Sequence, residues 1–320
     1  ILNSVSKLLS MSKSFIIFLL FCIPIQTMNS QNIAYFKEGD ESFAEVIVND
    51  DLIFTCRVAG LNNSGPYVIL LHGFPETSRM WKKLIKDLSK KNFKVVAPDQ
   101  RGYSKGARPK KVKDYSTYHL TNDVINMADA FGMDNFHLVG HDWGAAVGWA
   151  VSKAFNERIL SYSALSVPHI DAFSNAIQND KIQKKKSYYI SLFRLRLLPE
   201  VYFSISNYRN LKSLWSSSSQ EEIEDYMSVF SQKNAIKSAL NWYRATNLKS
   251  ETKIGEIEVP TLLIYGNNDM AIASKGIDET HKFINAPYTL KKINSTHWLI
   301  QDSYEIVSKE IFDHLEKYNK

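Results

Sequence analysis

The sequence predicts an α/β fold: a doubly wound, mostly parallel sheet with an all-helical insertion ahead of its last two strands. Three observations carry this. Between Tyr67 and Leu165, short apolar runs alternate with segments of helical periodicity, the rhythm of parallel strands joined by crossover helices. From Pro168 to about Ser250 the alternation stops and only helical patterns appear. From Thr261 onward it resumes. The 320 residues are 44% hydrophobic and 22% charged, which excludes a disordered chain, a collagen and a pure coiled coil. The net charge of +6 is scattered apart from the run Lys181–Lys186. Without a basic stripe, no nucleic-acid partner is expected.

Residues 1–30 stand apart. Residues 1–10 read as an upstream stretch and Met11 as the initiator, followed by Ser12-Lys13-Ser14 and an apolar run over 15–25. That is the layout of a secretory signal peptide, with cleavage expected near Ser30. The run is shorter than the ~20 residues of a comfortable membrane span and contains Pro24. The expectation is a secreted or periplasmic protein with no stable membrane span after processing. Cys22 would leave with the leader, so Cys56 would be the sole thiol and no intrachain disulfide could form.

The core elements follow in order. Residues 44–48 and 52–58 read as strands joined by a turn at Asn49-Asp50-Asp51. Tyr67–Leu71 is apolar throughout, as in a strand buried on both faces. Residues 79–88 are helical, with Met80, Leu84, Ile85 and Leu88 on one face. A strand over 93–97, a helix over 118–131, a strand over 136–139, a helix over 144–155 and a strand at Ile159–Leu165 follow. Helical patterns at 188–198, 221–230 and 235–246 fill the insertion. The chain closes with a strand over 261–265, a helix over 274–284, the strand Tyr288–Ile293 and a helix over 299–318. The organisation is thus a leader (1–30), a first core part (31–167), a helical lid (168–250) and a second core part (251–320). The lid is expected over the carboxyl ends of the strands, where open α/β sheets bind ligands.

The chemistry centres on Gly140-His141-Asp142-Trp143-Gly144, between a strand and a helix. This is a G-x-nucleophile-x-G elbow with aspartate in the place commonly held by serine. The glycines are required because the turn is too tight for a Cβ. The helix N-terminus behind Asp142 favours an ionised carboxylate. A carboxylate nucleophile attacks saturated carbon and forms an alkyl ester, which water then cleaves at the Asp142 carbonyl. The backbone amides of Phe74, in His72-Gly73-Phe74-Pro75-Glu76, and of Trp143 are the expected oxyanion donors. Chain order in this arrangement runs nucleophile, acid, base. Asp269, in Gly266-Asn267-Asn268-Asp269 after the next-to-last strand, is the candidate acid. His297, in Asn294-Ser295-Thr296-His297-Trp298 after the last strand, is the candidate base. His72 and His141 adjoin the active-site turns as hydrogen-bonding residues. His72, Pro75, His169, Trp242 and Trp298 are assigned to the substrate pocket. No Cys/His spacing suggests a metal, and no cofactor is expected.

The motifs His72-Gly73-Phe74-Pro75-Glu76, Pro98-Asp99-Gln100-Arg101-Gly102-Tyr103-Ser104 and Gly140-His141-Asp142-Trp143-Gly144-Ala145 resemble those of the α/β-hydrolase-fold epoxide hydrolases of the soluble type. The resemblance runs from about Ala44 to the end of the chain. It implies a small-molecule epoxide and water as reactants. It also implies two lid tyrosines that hold the epoxide oxygen and protonate the leaving alkoxide. Asn241-Trp242-Tyr243-Arg244 matches the second of these, and Lys186-Ser187-Tyr188-Tyr189-Ile190 is similar to the first, with Tyr189 aligned and Tyr188 as the alternative register. Haloalkane or haloacid dehalogenases share the nucleophile and fold, but their lids lack the tyrosine pair. A secreted, non-catalytic binding protein on the same scaffold is the alternative of another class. The run Lys181–Lys186 reads as a solvated surface. Oligomeric state is not legible.

Overall fold

A computed structural model describes residues 32–48, 52–246 and 253–319. The expected leader over 1–30 and the turn at 49–51 lie outside the described residues. Nine strands form one sheet in the order β1-β2-β3-β5-β4-β6-β7-β8-β9. The first three are β1 (Ile33–Glu38), β2 (Glu41–Val48) and β3 (Leu52–Ala59), paired antiparallel. The strands β4 (Tyr67–Leu71), β5 (Lys94–Pro98), β6 (Phe136–His141), β7 (Ile159–Leu165), β8 (Thr261–Gly266) and β9 (Tyr288–Ile293) pair in parallel. Their connecting helices are α1 (Lys82–Lys90), α2 (Thr117–Ala130) and α3 (Trp143–Ala154). Every residue of β6 and β8 is buried, as expected of central parallel strands covered on both faces.

Strand order positions the site. From β4 the chain moves outward to β5, then returns to the other side of β4 for β6. The loops leaving β4 and β6 therefore diverge and open a crevice at the carboxyl edge, the switch point where such sheets bind ligands. Phe74 follows β4 and Asp142 follows β6.

Between β7 and β8 the regular elements among the described residues are all helical: α4 (Ile170–Asn179), α5 (Lys181–Lys186), α6 (Tyr188–Phe193), α7 (Leu198–Lys212, broken by non-helical backbone at Ile205–Tyr208), α8 (Gln220–Phe230) and α9 (Ala235–Ala245). The sheet closes with α10 (Ser274–Glu279) between β8 and β9, then α11 (Leu299–Asp302) and α12 (Tyr304–Lys317). Four expected helices are subdivided, that over 274–284 ending as a 3₁₀ turn, Thr280–Phe283, after α10. Residues 79–88 open as a 3₁₀ turn, Ser78–Trp81, before α1. The helix expected over 188–198 ends at Phe193, and a turn in which Leu197 takes φ +71° separates it from α7. The last helix breaks at Ser303, between α11 and α12. Strand β1 was not anticipated. It is an edge strand, largely exposed, held by its ladder to β2 and by the stacked rings of Phe36 and Phe43, 5.2 Å apart. An edge strand buries too little to imprint an apolar pattern on its sequence.

Candidate active site

Asp142 ends β6 and caps α3 with φ +49° and ψ −117°, a left-handed conformation that costs a non-glycine residue about 1–3 kcal/mol. The surrounding backbone leaves no alternative. A Cβ on Gly144 would sit 2.1 Å from the Leu71 carbonyl oxygen, and one on Gly140 would sit 2.4 Å from that of Gly144. The strain lifts the carboxylate above the sheet edge. There Oδ1 accepts a 2.8 Å hydrogen bond from the Phe74 amide. Trp143 opens α3, so its amide belongs to the first turn, where helix N–H groups lack intrahelical partners.

Asp269 follows β8 in a tight loop. Its Oδ1 accepts from the amides of Ala271 at 2.7 Å and Ile272 at 2.9 Å, leaving Oδ2 for His297 Nδ1 at 2.7 Å. His297 follows β9, and its Nε2 lies 3.5 Å from Asp142 Oδ2. The imidazole thus sits between two carboxylates. Burial disfavours its charged form, but Asp269 and Asp142 together push its pKa well above the usual histidine range. Burial likewise pushes the Asp142 carboxyl up, and the hydrogen bond and charge of His297 outweigh it, holding the group below the usual range. Both shifts favour an imidazolium beside an ionised Asp142.

A cavity of about 680 Å³ opens on Asp142 and Trp143 and is lined also by Tyr189, Tyr243, Val147 and Phe173. Tyr189 on α6 and Tyr243 on α9 lie with ring centroids 6.2 Å apart. Tyr243 packs edge-on against Trp143 at 5.0 Å and Phe74 at 5.6 Å. Burial pushes both phenols above their ordinary pKa, so each is a proton donor at neutral pH. Tyr188 is 66% exposed and turned away from the cavity.

The five expected pocket residues do not line this cavity; they support it. His72 Nε2 accepts from the Gln100 amide at 3.0 Å. The Pro75 carbonyl accepts from the Trp215 indole at 2.9 Å. The Trp242 indole donates to the Arg101 carbonyl at 2.8 Å. Trp298 stands edge-on to His297 at 5.1 Å. His169 is fully buried, caps α4 through the Asp171 amide and stacks on Phe283 at 4.7 Å. The polar tips of His72, His169 and Trp242 satisfy backbone groups instead of facing the cavity.

Two groups were missed. Gln183 on α5 is fully buried; its amide nitrogen donates to the Ala271 carbonyl at 2.9 Å and its oxygen accepts from the Ala273 amide at 2.7 Å. Lys186, assigned to a solvated surface, instead donates to the backbone carbonyls of Asp269 and of Ile272, the latter at 2.9 Å. The insert thus grips the loop that carries Asp269. Nothing in the sequence signals this, because the partners are backbone atoms more than eighty residues away. Glu76 was in view only as part of a motif. It lies 2.9 Å from His141 Nδ1, while His141 Nε2 donates to the His297 carbonyl at 2.9 Å.

No group of acids, histidines and cysteines among the described residues could hold a metal ion. Cys56 is buried, and burial raises its thiol pKa, which makes it inert.

Residues 66–304 match the family described as alpha/beta hydrolase fold. The chain is 30% identical over 272 residues to Epoxide hydrolase 3 of Xenopus tropicalis, covering 81% of this chain and 74% of that protein. It is equally similar to Epoxide hydrolase 4 of Homo sapiens, with 30% identity over 272 residues, 81% of this chain and 75% of that protein. The crystal structure of an epoxide hydrolase from Vigna radiata superposes with a TM-score of 0.73 at 26% identity, covering 90% of this chain and 99% of that one.

Proposed function

The chain belongs to the alpha/beta hydrolase fold family, alongside relatives named as epoxide hydrolases, and we propose that it hydrolyses epoxides to vicinal diols through an ester on Asp142. The observation that carries this reading is the pair of phenols, half-buried Tyr189 and buried Tyr243, lining the same cavity as Asp142. An opening epoxide leaves an alkoxide that needs a proton, whereas a departing halide needs none.

The proton balance follows from the electrostatics. One oxygen of Asp142 attacks a ring carbon, the C–O bond breaks, and a tyrosine proton passes to the alkoxide. Asp142 is then a neutral ester, so one of the two carboxylates that stabilise the imidazolium is lost. His297 gives its proton, through solvent, to the tyrosinate and becomes a neutral base. It then removes a proton from water, and the hydroxide attacks the Asp142 carbonyl. The oxyanion is held by the Phe74 amide, already aimed at Oδ1, and by that of Trp143. Collapse expels the diol alkoxide, which takes the proton of the new carboxyl. Asp142 returns ionised beside a charged His297, with both phenols restored. The insert acts as a lid that contributes the phenols and excludes bulk water.

Single-turnover reaction in heavy-oxygen water tests this. The first diol should be unlabelled at the oxygen it takes from Asp142, and the label should appear in the Asp142 carboxylate. A first diol carrying the label with an unlabelled enzyme would overturn the ester.

A further inference from the structure

Large apolar side chains are exposed mainly in one place. Of the fourteen such residues among the described ones, nine fall between Ile182 and Ile205, on α5 to α7 of the insert. Leu197 is 74% exposed, Leu198 67%, Val201 58% and Tyr202 56%. Leu198, Val201 and Tyr202 stand at i, i+3 and i+4 of α7, the spacing of a helical stripe that normally faces a core. Pro199 and Phe203, on the other side of the same turns, already fill the buried face. The helix is therefore apolar on both sides, and none of the described residues covers its outer stripe. Exposed apolar surface gathered in this way marks an interaction site rather than ordinary scatter.

The charge around the stripe selects the partner. From Lys181 to Lys212 the chain carries eight Lys or Arg residues and one acid, Glu200. That acid is engaged by Arg244 at 2.8 Å. Arg194 and Arg196 alternate with Leu195 and Leu197 directly ahead of the stripe, and all four are exposed. A second copy of the chain fits this surface poorly. A two-fold interface lays one patch on itself and would bring like charges together. A bilayer with anionic headgroups satisfies both features, taking the leucines and tyrosine into the acyl boundary while the cations meet the headgroups. We infer that the α6–α7 face of the insert docks on anionic lipid surfaces. This goes beyond the catalytic reading and does not depend on it.

Because the apolar run over 15–25 could bind lipid by itself, the test must report on the site. The full chain carries Cys22→Ser with Tyr202→Cys, labelled with a polarity-sensitive dye; Cys56 is buried and does not compete. The control label is Ile306→Cys on α12, another exposed position. Vesicles of phosphatidylcholine with 0 or roughly 30% phosphatidylglycerol are titrated, since anionic content sets the attraction of surface cations. The expected result is a blue shift at position 202, absent at 306, on anionic vesicles only. Arg194→Gln with Arg196→Gln should weaken that response about thirtyfold, at roughly fivefold per cation, with turnover of a soluble epoxide unchanged. Three results would overturn the proposal: no shift at 202, an equal shift on uncharged vesicles, or a shift without vesicles that grows with protein concentration. The last would assign the face to a second copy.

Discussion

The two sides of the cavity are built by different means. On the sheet side, Asp142, Asp269 and His297 stand at strand ends and are fixed largely by backbone: the tight glycine elbow and the Phe74 amide around Asp142, and the Ala271 and Ile272 amides on Asp269, which in turn holds His297. On the insert side, Tyr189 and Tyr243 ride on helices placed by side chains that reach across to the core. Lys186 and Gln183 grip the acid loop, and the Trp242 indole reaches Arg101. Local backbone geometry can position a nucleophile rigidly. An inserted helical unit has to be docked, and long polar side chains meeting buried carbonyls supply a docking that is specific without being covalent.

Graded substitutions can break or sharpen this contrast. Asp142→Ala should lower turnover by at least about 10⁴-fold, because covalent catalysis is lost outright; residual turnover of a tenth would move the nucleophile elsewhere. Asp269→Asn should cost about 10³-fold in ester hydrolysis. It also removes the largest influence that raises the His297 pKa. The pH at which hydrolysis fails through imidazole protonation should then move to lower pH in a pre-steady-state profile. An unmoved acid limb would separate Asp269 from His297. Tyr243→Phe should slow ring opening about 10²-fold with ester hydrolysis nearly unchanged, in rapid-mixing fluorescence. Equal slowing of both steps would mean that the insert supports the sheet side instead of supplying its own chemistry. Lys186→Met should have the smallest effect, about tenfold on turnover. Because it loosens the loop of Asp269 and the helix run leading to Tyr189, it should affect both steps, and Lys186→Arg should recover part of the loss. A change confined to thermal stability would reduce the clamp to a structural tie.

Legibility followed the same division. Both glycines two residues from Asp142 are required because a Cβ would strike the Leu71 and Gly144 carbonyls, so the sterics of the elbow wrote a short motif into the sequence. Asp269 and His297 were found from strand order alone. Tyr189 and Tyr243 were reached through resemblance, since nothing local distinguishes them from the other tyrosines of the chain. His169 shows the opposite case: beside the insert entry it reads as a pocket residue, yet its nitrogens serve the Asp171 amide and the Gly255 carbonyl.

The sequence by itself determined the parallel sheet, the helical insertion and the residues at its strand ends, because apolar periodicity and turn sterics act over a few neighbours. Tertiary structure alone decided which tyrosine of the pair 188–189 enters the cavity and that Lys186 leaves solvent for the acid loop. It alone turned the apolar stripe of α7 outward. Each of these depends on which surface a helix meets, and that surface is supplied by residues distant in the chain. Periodicity records that a helix has an apolar face; only the packed molecule shows what, if anything, covers it.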